Sequence, residues 1–158
     1  DLAGRYEQFA LAKAQESYDT QRQHLQIVRE ILGELELVED GMDAVLDGLA
    51  GRYADVECMY VVDDKGQQVS ETIFNPVAAP KQRRFIFNPA SRGADHSLKD
   101  YVLSIRMGLD SYLTDPYVSL ATGKLCRTYS VVFANVRGPR RILCVDFSAE
   151  PISDSDGE

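Results

Sequence analysis

The segment TDPYVSLATGKLCRTYSVVFANVRGPRRILCVDF, Thr114 to Phe147, carries the strongest strand signal in this chain of 158 residues. Leu125–Ala134 is rich in β-branched and aromatic residues, and Arg141–Phe147 has the same character, so each predicts a strand. The glycine and proline within Asn135–Pro139 are typical of a turn. Thr122-Gly123 predicts another tight turn before the first strand. The segment therefore predicts a hairpin of two long strands.

Polar residues occur inside both predicted strands, namely Thr128, Ser130 and Asp146. Burying a carboxylate in an apolar environment without a partner is costly, so Asp146 is the most informative of the three. It indicates a ligand-binding site. The alternative is a structural role, in which Asp146 accepts hydrogen bonds from protein donors or pairs with Arg127 or Lys99.

The remaining segments predict helices and a second hairpin, separated by glycine-containing or irregular stretches. In chain order these are a long helix Leu2–Leu37, a helix with Asp40 as N-cap that ends at Leu49, strands Val56–Val62 and Gln67–Phe74, an irregular stretch Asn75–Ala94, and a helix Asp95–Gly108. Strands joined by hairpins predict an antiparallel sheet covered by helices on one face. We therefore expect an α+β domain with a five-stranded antiparallel sheet, a long N-terminal helix and a helical connector. Residues 1–158 are expected to form one domain, with the helix at 1–37 and a polar tail at 152–158.

Four short motifs recur here in an order and spacing seen in a known family. They are Asp115-Pro116-Tyr117, Thr122-Gly123-Lys124, Thr128-Tyr129-Ser130 and Val145-Asp146-Phe147. This pattern resembles the Cache (PAS-like PDC) sensor domains of bacterial receptors. The resemblance is strongest over about thirty residues and extends to the order of the upstream elements. It implies a PAS-like fold with a ligand between the sheet and the central connector.

Amino-acid-binding members of this family carry an arginine and a tryptophan in the connector helix. The resemblance places Lys99 and Tyr101 near those positions and matches the family's tyrosine and late aspartate to Tyr117 and Asp146. A second aspartate of the family is replaced by Ser119. The implied ligand is a small polar molecule, such as an organic acid, an amine or an amino acid. The residues expected to bind it are Lys99, Tyr101, Tyr117, Thr128, Ser130 and Asp146.

Each of these residues also has an ordinary structural interpretation. The two tyrosines are compatible with core positions whose hydroxyls are satisfied, and Lys99 with an exposed helix face. Strand hydroxyls such as Thr128 and Ser130 are commonplace. Arg106 lies on a similar helix face to Lys99 and is a weaker candidate. His96 opens the predicted connector helix, where it is either a neighbour of the cap or a ligand contact.

The composition is that of a globular domain, with 44% hydrophobic residues and a net charge of −8. Such an acidic chain lacks the basic field that nucleic-acid binding requires. No apolar run approaches the roughly 18 residues of a membrane span. The chain lacks a starting methionine, and we expect it to be a fragment of a larger protein. Its three cysteines, Cys58, Cys126 and Cys144, fit core packing better than a metal or redox motif.

No sequence motif of a hydrolase, metalloprotease, P-loop or dinucleotide-binding enzyme is present, so we expect neither an enzyme nor a resident cofactor or metal. The resemblance implies a sensor that relays ligand binding to an output domain outside this chain, on the extracytoplasmic side of a membrane-bound receptor. One alternative is a ligand-free PAS-like dimerisation module, with a homodimer formed through the N-terminal helix. Another is a cytoplasmic PAS-type domain that holds haem or flavin. The same helix also fits a solvated spacer.

Overall fold

The computed structural model describes residues 1–77, 90–120, 122–135 and 138–149. The helices are α1 (Leu2–Leu35), α2 (Met42–Leu49) and α3 (Asp100–Arg106). The strands are β1 (Val56–Asp63), β2 (Ile73–Phe74), β3 (Ser111–Leu113), β4 (Tyr117–Val118), β5 (Leu125–Ala134) and β6 (Arg140–Ser148). Residues 78–89 of the predicted irregular stretch and the predicted tail at 152–158 lie outside the described residues.

The strands form one antiparallel sheet in the order β2-β1-β6-β5-β3, and β4 also pairs with β5. The expected α+β architecture is confirmed, with six strands in the described residues instead of five. The additional strand arises because the edge next to β5 is interrupted. Pro116 lies between β3 and β4, and a proline cannot donate a hydrogen bond to the ladder. Leu113 therefore pairs with Tyr129, and pairing resumes at Tyr117 with Cys126.

The predicted strand Gln67–Phe74 is wrong for most of its length, because only Ile73–Phe74 pairs with β1 as a strand. The preceding residues make only an isolated bridge and a few backbone bonds to β1. The Gln68 backbone N–H donates to the Ala94 carbonyl at 2.8 Å. The Ser70 hydroxyl oxygen accepts from a backbone N–H of β1 at 2.8 Å. Side-chain and long-range bonds therefore interrupt the expected ladder.

The helix ends also differ from the prediction. Asp40 is not the N-cap of α2, because that position is occupied by Gly41, which has a φ of 82° and provides no side-chain cap. Glycine adopts this left-handed conformation at little cost. The connector helix begins at Asp100 instead of Asp95, because the Asp95 carboxylate accepts a hydrogen bond from the Ser97 backbone N–H at 2.8 Å and forms a turn.

The two faces of the sheet have different surroundings. On the first, here called the apolar face, strand residues pack against α1 and α2; those strand residues include Met59, Val61, Leu143, Val145 and Phe147. On the second, here called the cavity face, the alternate residues of the same strands lie next to α3; these include Tyr60, Val62, Ile142 and Cys144. The alternation follows from the two-residue period of a strand.

Helix α1 is 34 residues long, which corresponds to roughly 50 Å. Its C-terminal third packs on the apolar face through Val28, Ile31 and Leu35, and the His24 ring stacks on Phe147 with centroids 4.0 Å apart. Its N-terminal part exposes several large apolar side chains. In the described part of the chain, no helix combines the length and the apolarity needed to cross a membrane.

Candidate ligand-binding site

A cavity of about 570 Å³ lies between the cavity face of the sheet, the connector and the edge segment around β4. Its volume falls in the range of roughly 300–1,000 Å³ typical of small-molecule sites. The sheet contributes Cys58, Tyr60 and Asp146, and the other lining residues are Thr72, Ala90, His96, Lys99, Asp100, Tyr101 and residues 114–120.

Asp146 lies on β6 at the centre of the sheet and is only 4% exposed. Its cross-strand neighbours are Thr128 on β5 and Cys58 on β1. The Thr128 hydroxyl donates to Asp146 Oδ1 at 2.7 Å, and the Cys58 thiol donates to Oδ2 at 3.3 Å. The carboxyl group is therefore bonded from both sides while it also lines the cavity.

Burial raises the pKa of the Asp146 carboxyl above its ordinary value. The hydrogen bonds from Thr128 and Cys58 act in the opposite direction, as does the positive charge of Lys99. The desolvation of the charged form is the larger effect. Any additional donor or cation that enters the cavity would therefore stabilise the charged form of Asp146.

Tyr117 extends this network, because its hydroxyl is hydrogen-bonded to the Thr128 hydroxyl. The single hydroxyl proton of Thr128 is directed at Asp146, so Tyr117 is the donor to Thr128. Burial and the neighbouring Asp146 raise the pKa of Tyr117, which keeps its phenol protonated. Three of the predicted residues thus form one hydrogen-bonded series, which runs from Tyr117 through Thr128 to Asp146.

A pair of tyrosine hydroxyls lies next to this hydrogen-bonded series. The hydroxyls of Tyr60 and Tyr101 are 2.5 Å apart, and both side chains are almost completely buried. Burial raises the pKa of both phenols. One hydroxyl donates to the other, so the pair carries a second proton that is available to an acceptor.

Lys99 is exposed and immediately precedes α3. Its Nζ atom lies 5.7 Å from the ring centroid of Tyr101, within the range of a cation–π contact. Lys99 also lines the cavity, so it brings a positive charge to a wall that otherwise carries the carboxyl groups of Asp100, Asp115 and Asp146.

Thr128 and Ser130 are placed differently from the other predicted site residues. Both are completely buried, and neither lines the cavity. Thr128 acts through its bond to Asp146, whereas the Ser130 hydroxyl donates to the Tyr101 carbonyl at 2.6 Å and joins β5 to α3. Ligand contact through Ser130 stays a prediction, and its observed bond accounts for a hydroxyl at this position. Arg106 lies in a separate depression with Asp64.

Sequence reasoning did not select Cys58 and Tyr60, although both line the cavity. Their alternate positions on β1 identify them as cavity-lining residues only when the register of β1 with β6 is known. In that register Cys58 lies opposite Asp146. His96 was identified only as an ambiguous residue. Ser119, at the position of the family's second aspartate, is 3% exposed and lines the cavity.

No group of three histidine, cysteine, aspartate or glutamate side chains suited to a metal ion occurs within residues 1–77, 90–120, 122–135 and 138–149. In this part of the chain the lining offers hydroxyls, one ammonium group, carboxyl groups and aromatic rings. Such a set can bind a small polar molecule through hydrogen bonds and charge.

Solved structures similar to this chain include a Bacillus subtilis protein and a Campylobacter jejuni receptor domain. The Bacillus subtilis YkuI protein, which has an EAL domain and was solved in complex with its substrate c-di-GMP and calcium, matches with a TM-score of 0.65 and 20% identity. The match covers 92% of this chain and 37% of YkuI. The ligand-binding domain of the Campylobacter jejuni chemoreceptor Tlp3, in complex with 4-methylisoleucine, matches with a TM-score of 0.61 and 15% identity. That match covers 84% of this chain and 52% of the other.

The chain therefore spans well under two thirds of either structure. A comparison with protein-family models gives no match, and neither does a comparison with curated proteins. At these identities the two likenesses concern the fold alone. They agree with the expected PAS-like α+β architecture, which this chain shares with a chemoreceptor ligand-binding domain.

Proposed function

We propose that this chain is a small-molecule sensing domain of a bacterial signalling protein and has no enzymatic activity of its own. The observation that carries the proposal is the buried Asp146 carboxyl at the wall of a cavity of about 570 Å³. A few polar groups arranged around a concave, mostly apolar space are typical of ligand sites. The fold shared with a chemoreceptor ligand-binding domain supports the same function.

The proposed ligand is a small organic acid, amine or amino acid. Asp146 and the tyrosine hydroxyls suit an ammonium or hydroxyl group, and Lys99 suits a carboxylate. Ser119 leaves the site without the second carboxylate of the amino-acid-binding pattern, and Lys99 lacks the two-point geometry of arginine. Recognition of an amino acid would therefore use fewer charged contacts here.

The proposed relay runs from the cavity face to α1 through the sheet. The β6 residues Cys144 and Asp146 lie at the cavity face, and their neighbours Val145 and Phe147 pack on the apolar face beneath α1. A ligand that favours one arrangement of the connector and sheet would shift the population of α1 positions. The output domain lies outside residues 1–158, and we propose an extracytoplasmic location, with a cytoplasmic one as the alternative.

A thermal-shift screen of residues 1–158 against organic acids, amines and amino acids tests the sensing function. We expect at least one compound to raise the melting temperature, and we expect Asp146→Ala to abolish that shift. Asp47→Ala, a change at an exposed carboxylate on α2, is the matched control and should keep the shift. Circular dichroism checks that each variant is folded. If no compound stabilises the wild-type chain, the sensing function is wrong.

A second candidate function is a ligand-free dimerisation module that uses α1. The observation that favours it is a set of large apolar side chains exposed on the N-terminal part of the helix: Leu2, Tyr6, Phe9, Leu11 and Tyr18. Burying such residues in a homodimer removes apolar surface from water. Sedimentation of the wild type and of Phe9→Ser with Leu11→Ser tests this idea. Loss of a dimer in the double variant supports it, and a wild-type monomer at high concentration refutes it.

A further inference from the structure

His96 occupies an unusual position between the sheet and the connector. It lines the cavity, is only 3% exposed, and its ring stacks on Tyr60 with centroids 4.9 Å apart. Its backbone carbonyl accepts from the Lys99 N–H at 3.1 Å, just before α3 begins. Movement of this side chain is therefore coupled to both the cavity wall and the start of the connector helix.

The hydrogen bonds of Gln68 fix which nitrogen of His96 carries the proton. The Gln68 side-chain amide donates to the Ser70 carbonyl at 2.8 Å, so its NH₂ group points there. Its carbonyl oxygen then faces His96 Nε2 at 2.9 Å. A carbonyl can only accept, so Nε2 must be the protonated nitrogen. In the neutral ring, Nδ1 is left with a lone pair.

That lone pair has no partner among the described residues. Burial and the charge of Lys99 lower the pKa of His96 to about 4, so the ring is neutral at physiological pH and Nδ1 remains an acceptor. A buried acceptor without a donor is costly. Because Nε2 is turned towards Gln68, which does not line the cavity, Nδ1 is the nitrogen left for a group that enters from the cavity.

We propose that His96 is a ligand-binding residue of the cavity, and that its Nδ1 atom accepts a hydrogen bond from an N–H of a protonated organic amine. This inference rests on the proposed sensing function and narrows its ligand class. Among the described residues of the cavity wall, three carboxyl groups, those of Asp100, Asp115 and Asp146, outnumber the one ammonium group, that of Lys99. The rings of Tyr60 and Tyr101 add surfaces that attract a cation.

Nδ1 is covered in the present arrangement, so the amine reaches it only when part of the wall moves. The exposed Lys99 side chain has a flexible stem that can move aside, and its charge favours separation from a cationic ligand. Entry of the amine therefore requires a rearrangement of the side chains around Nδ1.

The test uses 2-phenylethylamine and its N,N,N-trimethyl derivative, which keeps the positive charge but has no N–H. We expect the wild-type chain to bind the amine in calorimetry, and His96→Phe to weaken that binding about tenfold or more, the size of a lost hydrogen bond to a charged group. Affinity for the trimethyl derivative should change by less than about threefold, since it cannot use this bond. Phenylalanine retains a ring to stack on Tyr60, which makes it the matched replacement.

A second measurement does not depend on a substitution of His96. Nitrogen NMR of the histidine-labelled wild type should show a protonated Nε2 and an unprotonated Nδ1 for His96, and only Nδ1 should shift strongly when 2-phenylethylamine is added. The chain has two histidines, so a His24→Gln variant assigns the signals.

The role of His96 is overturned if His96→Phe lowers the affinity for both probes equally. It is also overturned if the Nδ1 signal does not shift when the amine is added. The sensing function survives that result if Asp146→Asn still abolishes amine binding. If the wild-type chain binds organic acids but not the amine, the amine class is wrong and the sensing function stands. If it binds neither those compounds nor amino acids, both proposals fail.

Discussion

The two faces of β6 show how one strand serves two purposes. Leu143, Val145 and Phe147 point to the apolar face, where α1 and α2 cover them completely. Cys144 and Asp146 alternate with them and point to the cavity face, where neighbouring hydroxyls and thiols satisfy the polar groups and a cavity remains. The first face stabilises the fold, and the second presents a site.

This difference has an energetic consequence. Apolar burial contributes roughly 25 cal/mol per Å², whereas a typical hydrogen bond contributes only about 1 kcal/mol net. We therefore expect substitutions on the apolar face to change the free energy of unfolding most strongly. Substitutions on the cavity face should change pH dependence and binding more than stability.

Leu143→Ala should produce the largest effect. Leu143 is fully buried on the apolar face, so its truncation removes apolar contacts and leaves a void. We expect a loss of about 2–5 kcal/mol in the free energy of unfolding, measured by urea denaturation. Cys144→Ala, one residue along and on the cavity face, is the control and should cost about 1 kcal/mol. Equal losses from the two would contradict the division into two faces.

Asp146→Asn should change the pH dependence of stability. Because burial raises the folded-state pKa of Asp146, the folded chain holds this proton more tightly than the unfolded chain. The stabilisation from this group is complete below the unfolded pKa of about 3.9 and is lost as pH rises through the folded pKa. Asparagine has no such titration, so the variant should lack this decrease.

The measurement is the difference between the wild-type and Asp146→Asn unfolding free energies across about pH 4 to pH 8. Taking the difference cancels the other carboxyl groups, including Asp95, whose pKa is lowered by its bonds to Ser97. Wild-type stability should fall relative to the variant as pH rises. A difference that is flat, or that grows in favour of the wild type, contradicts a raised pKa.

The hairpin of β5 and β6 could be predicted almost to the residue, because its β-branched composition agrees with its tertiary role. The interruption of the strand predicted at Gln67–Phe74 could not be foreseen, since the Gln68 N–H bonds to Ala94 and a contact between distant segments leaves no local pattern. The mistaken N-cap at Asp40 has a similar cause, because backbone geometry at Gly41 replaced a favourable side chain.

The cavity wall was predicted in part. The family pattern identified Tyr117 and Asp146, and both line the cavity, although their contact with a ligand stays a prediction. Cys58 reaches the same carboxyl group only through the register of β1 with β6, which the sequence does not encode locally. His96 can be recognised as a candidate ligand-binding residue only when its hydrogen bond to Gln68 is known, because that bond decides which ring nitrogen is left as an acceptor.

Tyr117→Phe should have a smaller effect on stability than Leu143→Ala. The change removes the hydroxyl that donates to Thr128 and leaves the bond from Thr128 to Asp146 intact. We expect a loss of about 1 kcal/mol in urea denaturation. Tyr129→Phe is the matched control, because Tyr129 packs on the opposite face, and it should stay within about 0.5 kcal/mol of wild type. A larger effect from Tyr129 would show that the cavity-face network contributes little.

Arg92→Ala should have the smallest effect, because Arg92 lies at the periphery of both faces. Its guanidinium donates to the Val69 carbonyl at 2.6 Å and pairs with Asp43 on α2 at 2.5 Å. The Arg92 side chain is 55% exposed, so solvent and salt screen the pair, and we expect a loss of about 0.2–1 kcal/mol. Urea denaturation at low and high salt measures it, and the loss should shrink with salt. A loss as large as that of Leu143→Ala would mean that the segment carrying Arg92 holds α2 against the sheet, so that polar contacts at the rim, and not only apolar packing, secure the apolar face.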